Sequence, residues 1–220
     1  MKALKVRLPD GESVSALLQA PGDARATYVF AHGAGAGMAH PFMAAMADAL
    51  AARQIATLRF QFPFMEKGSK RPDVPRVAHA AVRAAVAEAA SRLPGLPLYA
   101  GGKSFGARMT SQAQALAPLP QVRGLVFVGF PLHPAGKPSV TRAEHLEGVQ
   151  IPMLFLQGTR DALAEPTLLR QTTEALGRRA TLHTAEGADH AFHVLVRSGR
   201  TDDEVRDELC DRIAAWVRQA

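Results

Sequence analysis

Gly102-Lys103-Ser104-Phe105-Gly106 sets a serine between two glycines. The segment follows an apolar run at 98–101 and opens a helical stretch at 104–116. A G-x-S-x-G pattern between strand and helix puts a serine hydroxyl on a strained, exposed turn, where it can act as a nucleophile. A side chain two residues either side would collide across so tight a turn, and Gly102 and Gly106 remove that collision. The helix that starts near Phe105 points its positive end at the serine and favours negative charge developing there. The alternative is a glycine-rich turn in which the serine only caps a helix.

A serine hydroxyl needs a base to take its proton, and the base needs an orienting carboxylate. Behind elbows of this kind the chain order is Ser, then Asp or Glu, then His. Downstream, the apolar run LFLQG leads through Thr159-Arg160 to Asp161, and the loop AEGADH ends on His190. Asp161 and His190 are therefore the expected acid and base. Each stands beyond the carboxyl end of a strand, the edge where open α/β sheets bind ligands. Glu165 lies at a helix start, where it suits the helix dipole. Asp189 adjoins His190 and should point elsewhere, and His193 is the alternative base. His183 reads as a sheet residue, and His40, His79 and His145 receive no role.

An oxyanion needs two backbone N–H donors. The residue after the nucleophile, Phe105, supplies one. The other is expected from the loop His32-Gly33-Ala34-Gly35-Ala36-Gly37, with Ala34 favoured and Gly33 or Gly35 as alternatives. The glycines let that backbone approach a substrate closely. Their G-x-G-x-G spacing departs from the dinucleotide fingerprint, which argues against a nucleotide site.

These groups require a scaffold. A hairpin is expected from residues 6–8 and 14–18 around Pro9-Asp10-Gly11-Glu12. Strands are expected at 27–31, 56–60, 98–101, 125–130, 153–157 and 180–184. Helices are expected at 42–53, 74–93, 104–116, 167–176 and 202–217. Alternation of strand and helix implies one α/β domain over 1–220, with a mostly parallel twisted sheet and helices on both faces. The stretches 61–76 and 131–150 read as irregular and follow strands, so both are placed to line a site.

The 220 residues are 47% hydrophobic and 21% charged, a globular balance. The single cysteine, Cys210, excludes an internal disulfide and suits a reducing compartment. The net charge of +6 is spread over scattered arginines, a solvated surface rather than a nucleic-acid face. No signal peptide is evident, and no apolar run is long enough to span a bilayer, so a soluble, cytoplasmic protein is expected. Nothing in the sequence specifies an oligomeric state.

HGAGAGMAHPFM, LRFQFPF, GGKSFGARM, GFPLHPAGKP, LFLQGTRDAL and GADHAFHV occur in that order over roughly residues 26–196. Together they resemble the dienelactone-hydrolase-like branch of the α/β-hydrolases. More narrowly they are similar to the small hydrolase-like family that contains testis-expressed protein 30 and the NSL-complex subunit 3 domain. The resemblance implies an α/β-hydrolase fold without a large cap, with Ser104 as nucleophile, Asp161 as acid and His190 as base. One departure is Ala107, where the family pattern has glycine. The resemblance also draws attention to His133 as a substrate contact, with loop bracing as its alternative. Arg59 and Lys103 are further candidates to attract an anionic substrate group, and Lys103 has a buried bracing role as its alternative. The expected chemistry is hydrolysis of a small-molecule ester or thioester with no metal or organic cofactor. Acyl transfer by the same triad is a variant, and a non-catalytic interaction scaffold is the rival.

Overall fold

Short apolar runs, most of them continuous, generate the sheet. The computed structural model describes residues 1–219. Its strands are β1 (Lys2–Arg7), β2 (Ser13–Gln19), β3 (Ala26–Ala31), β4 (Ile55–Phe60), β5 (Leu98–Lys103), β6 (Val122–Val128), β7 (Met153–Gly158) and β8 (Ala180–Ala185). Its α-helices are α1 (Pro41–Ala51), α2 (Pro63–Glu66), α3 (Pro75–Arg92), α4 (Phe105–Leu116), α5 (Pro166–Ala175) and α6 (Asp202–Val217). The strands form one sheet in the order β1-β2-β4-β3-β5-β6-β7-β8. β1 and β2 pair antiparallel, as do β2 and β4, and every other pair is parallel. This is an α/β-hydrolase fold with an N-terminal antiparallel hairpin and no large cap.

The central strands are buried on both faces, which is why they read as continuous apolar runs. Val29 of β3, Phe127 of β6 and Phe155 of β7 face one core, shared with Val82 and Val86 of α3. Their neighbours Phe30, Val128 and Leu156 face the other, shared with Met46 and Leu50 of α1 and Leu209 and Ile213 of α6. Alternate side chains on a strand point to opposite faces, so one sheet serves two cores. Parallel neighbours require the crossover helices that cover those faces.

The two irregular stretches contain short helices. Pro63 fixes the first turn of α2, and a 3-10 helix spans Thr141–Gly148. Four residues of helix show no period, which hides α2 from pattern reading. α6 starts at the expected Asp202, held by a reciprocal capping box between Thr201 and Glu204. Among the described residues no helix is long and apolar enough to cross a membrane.

His32, the residue after β3, is fully buried. Phe62 N–H donates to its Nε2 at 2.9 Å, so Nδ1 carries the proton and donates to the Gly33 carbonyl at 2.7 Å. Burial pulls this imidazole from 6.5 down to about 4, against the opposing pull of the Gly33 and Ala36 carbonyls. The unfolded chain takes up this proton near 6.5 and the folded chain only near 4. The fold therefore loses stability as pH falls through that window, by about 3 kcal/mol for this group. Urea unfolding at about pH 7 and pH 4.5 should show the loss. His32→Gln should be less stable at neutral pH but have a flatter dependence on pH.

Candidate active site

The turn around Ser104 is built by close approach of three elements. Ser104 lies between β5 and α4 with φ +52° and ψ −111°, a left-handed conformation that costs a non-glycine residue about 1–3 kcal/mol. A Cβ at Gly102 would lie 2.4 Å from the Ala31 carbonyl oxygen, and one at Gly106 2.5 Å from the same atom. The glycines thus admit the end of β3 as well as each other. Ser104 N–H donates to the Val128 carbonyl at 3.2 Å, and its own carbonyl accepts from Arg108 N–H at 3.2 Å.

The serine, histidine and aspartate meet in series. His190 Nε2 lies 2.8 Å from Ser104 Oγ, and His190 Nδ1 lies 2.6 Å from Asp161 Oδ2. Asp161 is buried, and its Oδ1 also accepts from Leu163 N–H at 2.8 Å. The Gln157 side-chain amide donates to Oδ2. Three donors converge on this acceptor, so the imidazole donates from Nδ1 and its Nε2 is free to receive the serine proton.

The loops bearing Asp161 and His190 interlock. Arg160 N–H donates to the Ala188 carbonyl at 2.9 Å, and Gly187 N–H donates to Thr159 Oγ1 at 2.8 Å. A Cβ at Gly158 would stand 2.3 Å from the Ala188 oxygen, so only glycine lets the loops touch.

The competing residues are engaged elsewhere. Asp189 accepts from the Ala191 and His193 amides. Glu165 caps α5 through the Thr167 and Leu168 amides. His193 pairs with Asp202, and His183 with Glu208.

A cleft of about 440 Å³ opens over Ser104 and His190, walled by Ala34, Ala36, Phe42, Met43 and Leu163. A larger groove of about 860 Å³ runs along α6 among Arg53, Asp207, Asp211 and Arg212 and contains none of the three. The Gly33–Ala36 loop lies against the elbow, since a Cβ at Gly33 would be 3.8 Å from Ser104 Cβ. A trans peptide sets N–H opposite C=O. The bond from His32 to the Gly33 carbonyl therefore turns the Ala34 N–H away from His32. Phe105 opens α4, so its N–H belongs to the unpaired first turn of that helix.

Two expected substrate contacts are placed differently. Arg59 is buried and absent from the cleft wall. It pairs with Phe30 in the parallel register and so shares the α1 face of the sheet. There its guanidinium donates to the Met38 carbonyl at 3.1 Å and contacts Met1 Sδ at 3.3 Å. His133 is also buried away from the cleft wall. Its Nε2 accepts from Glu165 N–H at 2.8 Å, so Nδ1 donates to the Pro134 carbonyl at 2.9 Å. It braces the chain just past Asp161. Lys103 does line the cleft, but its ammonium donates to the His190 carbonyl.

His40, which the sequence pattern leaves without a role, caps α1 and lines the cleft. Its signal was the Pro41 that follows it, a helix-start residue directly after the glycine loop. Gln157, which donates to Asp161, is equally inconspicuous in the sequence. The signal there was a lone polar side chain within an apolar strand.

The family model for an alpha/beta hydrolase domain matches residues 24–218. Solved structures share the fold. A dienelactone hydrolase from Anabaena variabilis superposes with TM-score 0.77 at 19% identity, over 99% of this chain and 96% of that one. An α/β serine hydrolase without a lid from Xanthomonas campestris gives 0.75 at 22%, over 98% and 94%. An α/β serine hydrolase homologue from Coxiella burnetii gives 0.76 at 19%, over 96% of each chain. At these identities the likeness speaks to the fold alone. With the family match running from before β3 to beyond the end of α6, the chain belongs to the alpha/beta hydrolase domain family.

Proposed function

We propose that this protein is a serine hydrolase that cleaves a neutral ester or thioester of a small molecule through an acyl-enzyme, with residues 1–220 as one catalytic unit. The observation that carries the reading is the hydrogen-bonded series Ser104–His190–Asp161 at a strained elbow beneath an apolar cleft. Ser104 Oγ attacks the carbonyl carbon while His190 Nε2 takes its proton. The carbonyl oxygen becomes an oxyanion held by the Phe105 and Ala34 amides. The intermediate collapses as His190 returns the proton to the departing alcohol or thiol. Water then repeats the cycle against the acyl-enzyme and releases the acid. The steps draw on no metal or organic cofactor. The motif set that resembles dienelactone-hydrolase-like proteins agrees with this chemistry.

The substrate class follows from what the cleft offers. Its walls are mostly alanine, phenylalanine, methionine and leucine side chains, with His40 and Lys103 among them. Arg59 is buried elsewhere, and the Lys103 ammonium is bonded inward. A carboxylate on the substrate would lose hydration and gain no arginine or lysine partner in exchange. A volume of about 440 Å³ lies at the small end of ligand pockets and suits a short acyl chain.

A fluorophosphonate probe should label the wild type and leave Ser104→Ala unlabelled, with hydrolysis of p-nitrophenyl acetate falling on the order of 10⁴-fold or more. A folded wild type that resists the probe would overturn the reading in favour of a scaffold. Among p-nitrophenyl esters, acetate and butyrate should exceed both long-chain esters and a hemisuccinate by about tenfold or more in kcat/KM. A hemisuccinate preference would refute the neutral-substrate assignment. Gly158→Ala should lower kcat about 10- to 100-fold by parting the acid and base loops. Its steady-state kinetics, read beside a melting curve, would separate this loss from unfolding.

A further inference from the structure

Lys103 occupies an unusual position for a lysine. It is the residue before the nucleophile, and its ammonium is directed beneath the loop that carries the base. Nζ donates to the His190 carbonyl at 2.5 Å and lies 5.4 Å from the Phe192 ring centroid. Gly129 makes room for it, since a Cβ there would stand 3.1 Å from Nζ and 3.5 Å from His190 Cε1. The loop above is a tight turn. Asp189 N–H donates to the His193 carbonyl and Phe192 N–H to the Asp189 carbonyl, with Phe192 at φ +64°. That turn presents the imidazole to Ser104 and directs the His190 carbonyl at Lys103.

Burying an ammonium is costly, and a methionine would fill the same volume without the cost. Burial pulls Lys103 from 10.5 down to about 8, while the negative charges of Asp161 and Asp189 oppose that shift. The charged and titratable groups around it are thus Asp161 from the β7 turn, and Asp189 and His190 from the loop after β8. None is a salt-bridge partner within 4 Å, and the bond to a backbone carbonyl is the specific contact it makes.

We propose that Lys103 is a positioning residue: through the His190 carbonyl it ties the loop of the base to the elbow of the nucleophile, setting the distance from His190 Nε2 to Ser104 Oγ. The inference rests on the serine-hydrolase reading of the site. It assigns to the elbow motif a function beyond presenting the serine, because the same five residues also anchor the base.

The test compares the wild type with Lys103→Met, which keeps volume and loses the donor, and Lys103→Gln, which keeps a neutral donor. Three quantities are measured: the fluorophosphonate labelling rate, kcat and KM on p-nitrophenyl acetate, and the downfield NMR resonance of the His190 Nδ1 proton. Lys103→Met should label about 10- to 100-fold slower, with KM within about threefold of wild type, and its Nδ1 resonance should broaden or vanish. Lys103→Gln should recover part of the rate and the resonance. Wild-type labelling by a folded Lys103→Met, or equal slowing in both variants, would overturn the proposal. If Lys103→Met does not fold, Lys103→Leu takes its place: labelling at least about threefold slower than Lys103→Gln supports the bond, and a smaller difference refutes it. A wild type that never labels would sink the hydrolase reading instead. The Nδ1 resonance still reports whether Lys103 sets the histidine.

Discussion

The backbone of Ser104 is the constraint from which the rest of the site follows. A serine at φ +52° persists only where its surroundings leave no alternative. Here they do so through the Ala31 carbonyl, which packs on Gly102 and Gly106 at distances that admit no Cβ. That contact needs β3 and β5 in their parallel register, with Ala31 beside Gly102. A slip of one residue would exchange the faces of β3, sending Val29 and Phe30 into the wrong cores. Strain at one residue is thus sustained by the packing of both sides of the sheet.

The loops at the carboxyl ends of the strands raise a second demand, since their backbone groups must find partners. Polar side chains answer it. His32 bridges the Gly33 carbonyl and the Phe62 amide, while Arg59 and Gln61 hold the carbonyl and the amide of Met38. His133 holds the Glu165 amide, and Lys103 the His190 carbonyl. Several residues with the look of ligands therefore serve as anchors of the loops that frame the cleft. The space over Ser104 is left largely apolar, and in such a site a few aimed amides stabilise charge strongly.

The reach of pattern reading follows from the range of the forces involved. The apolar runs of β3, β6 and β7 are local signals, and so are the glycines of the elbow and the acidic first turn of α6. Asp161 and His190 stand out in the sequence because each lies just past an apolar run, and strand ends of a parallel sheet share one edge. α2 escaped notice because four residues hold no period, and Gln157 because its neighbours mark a strand and nothing more.

By itself the amino-acid sequence determined the order of the elements, the class of the sheet and which serine, carboxylate and imidazole stand just past strand ends. Those depend on side-chain type and on spacing within a few residues. Only the tertiary structure decided where long polar side chains point. Arg59 follows Phe30 to the α1 face through strand register, and His133 turns inward to a segment some thirty positions downstream. Lys103 meets a carbonyl 87 residues away. Such partners are chosen by which unsatisfied backbone group the fold brings within hydrogen-bonding reach, and that is a property of the packed chain.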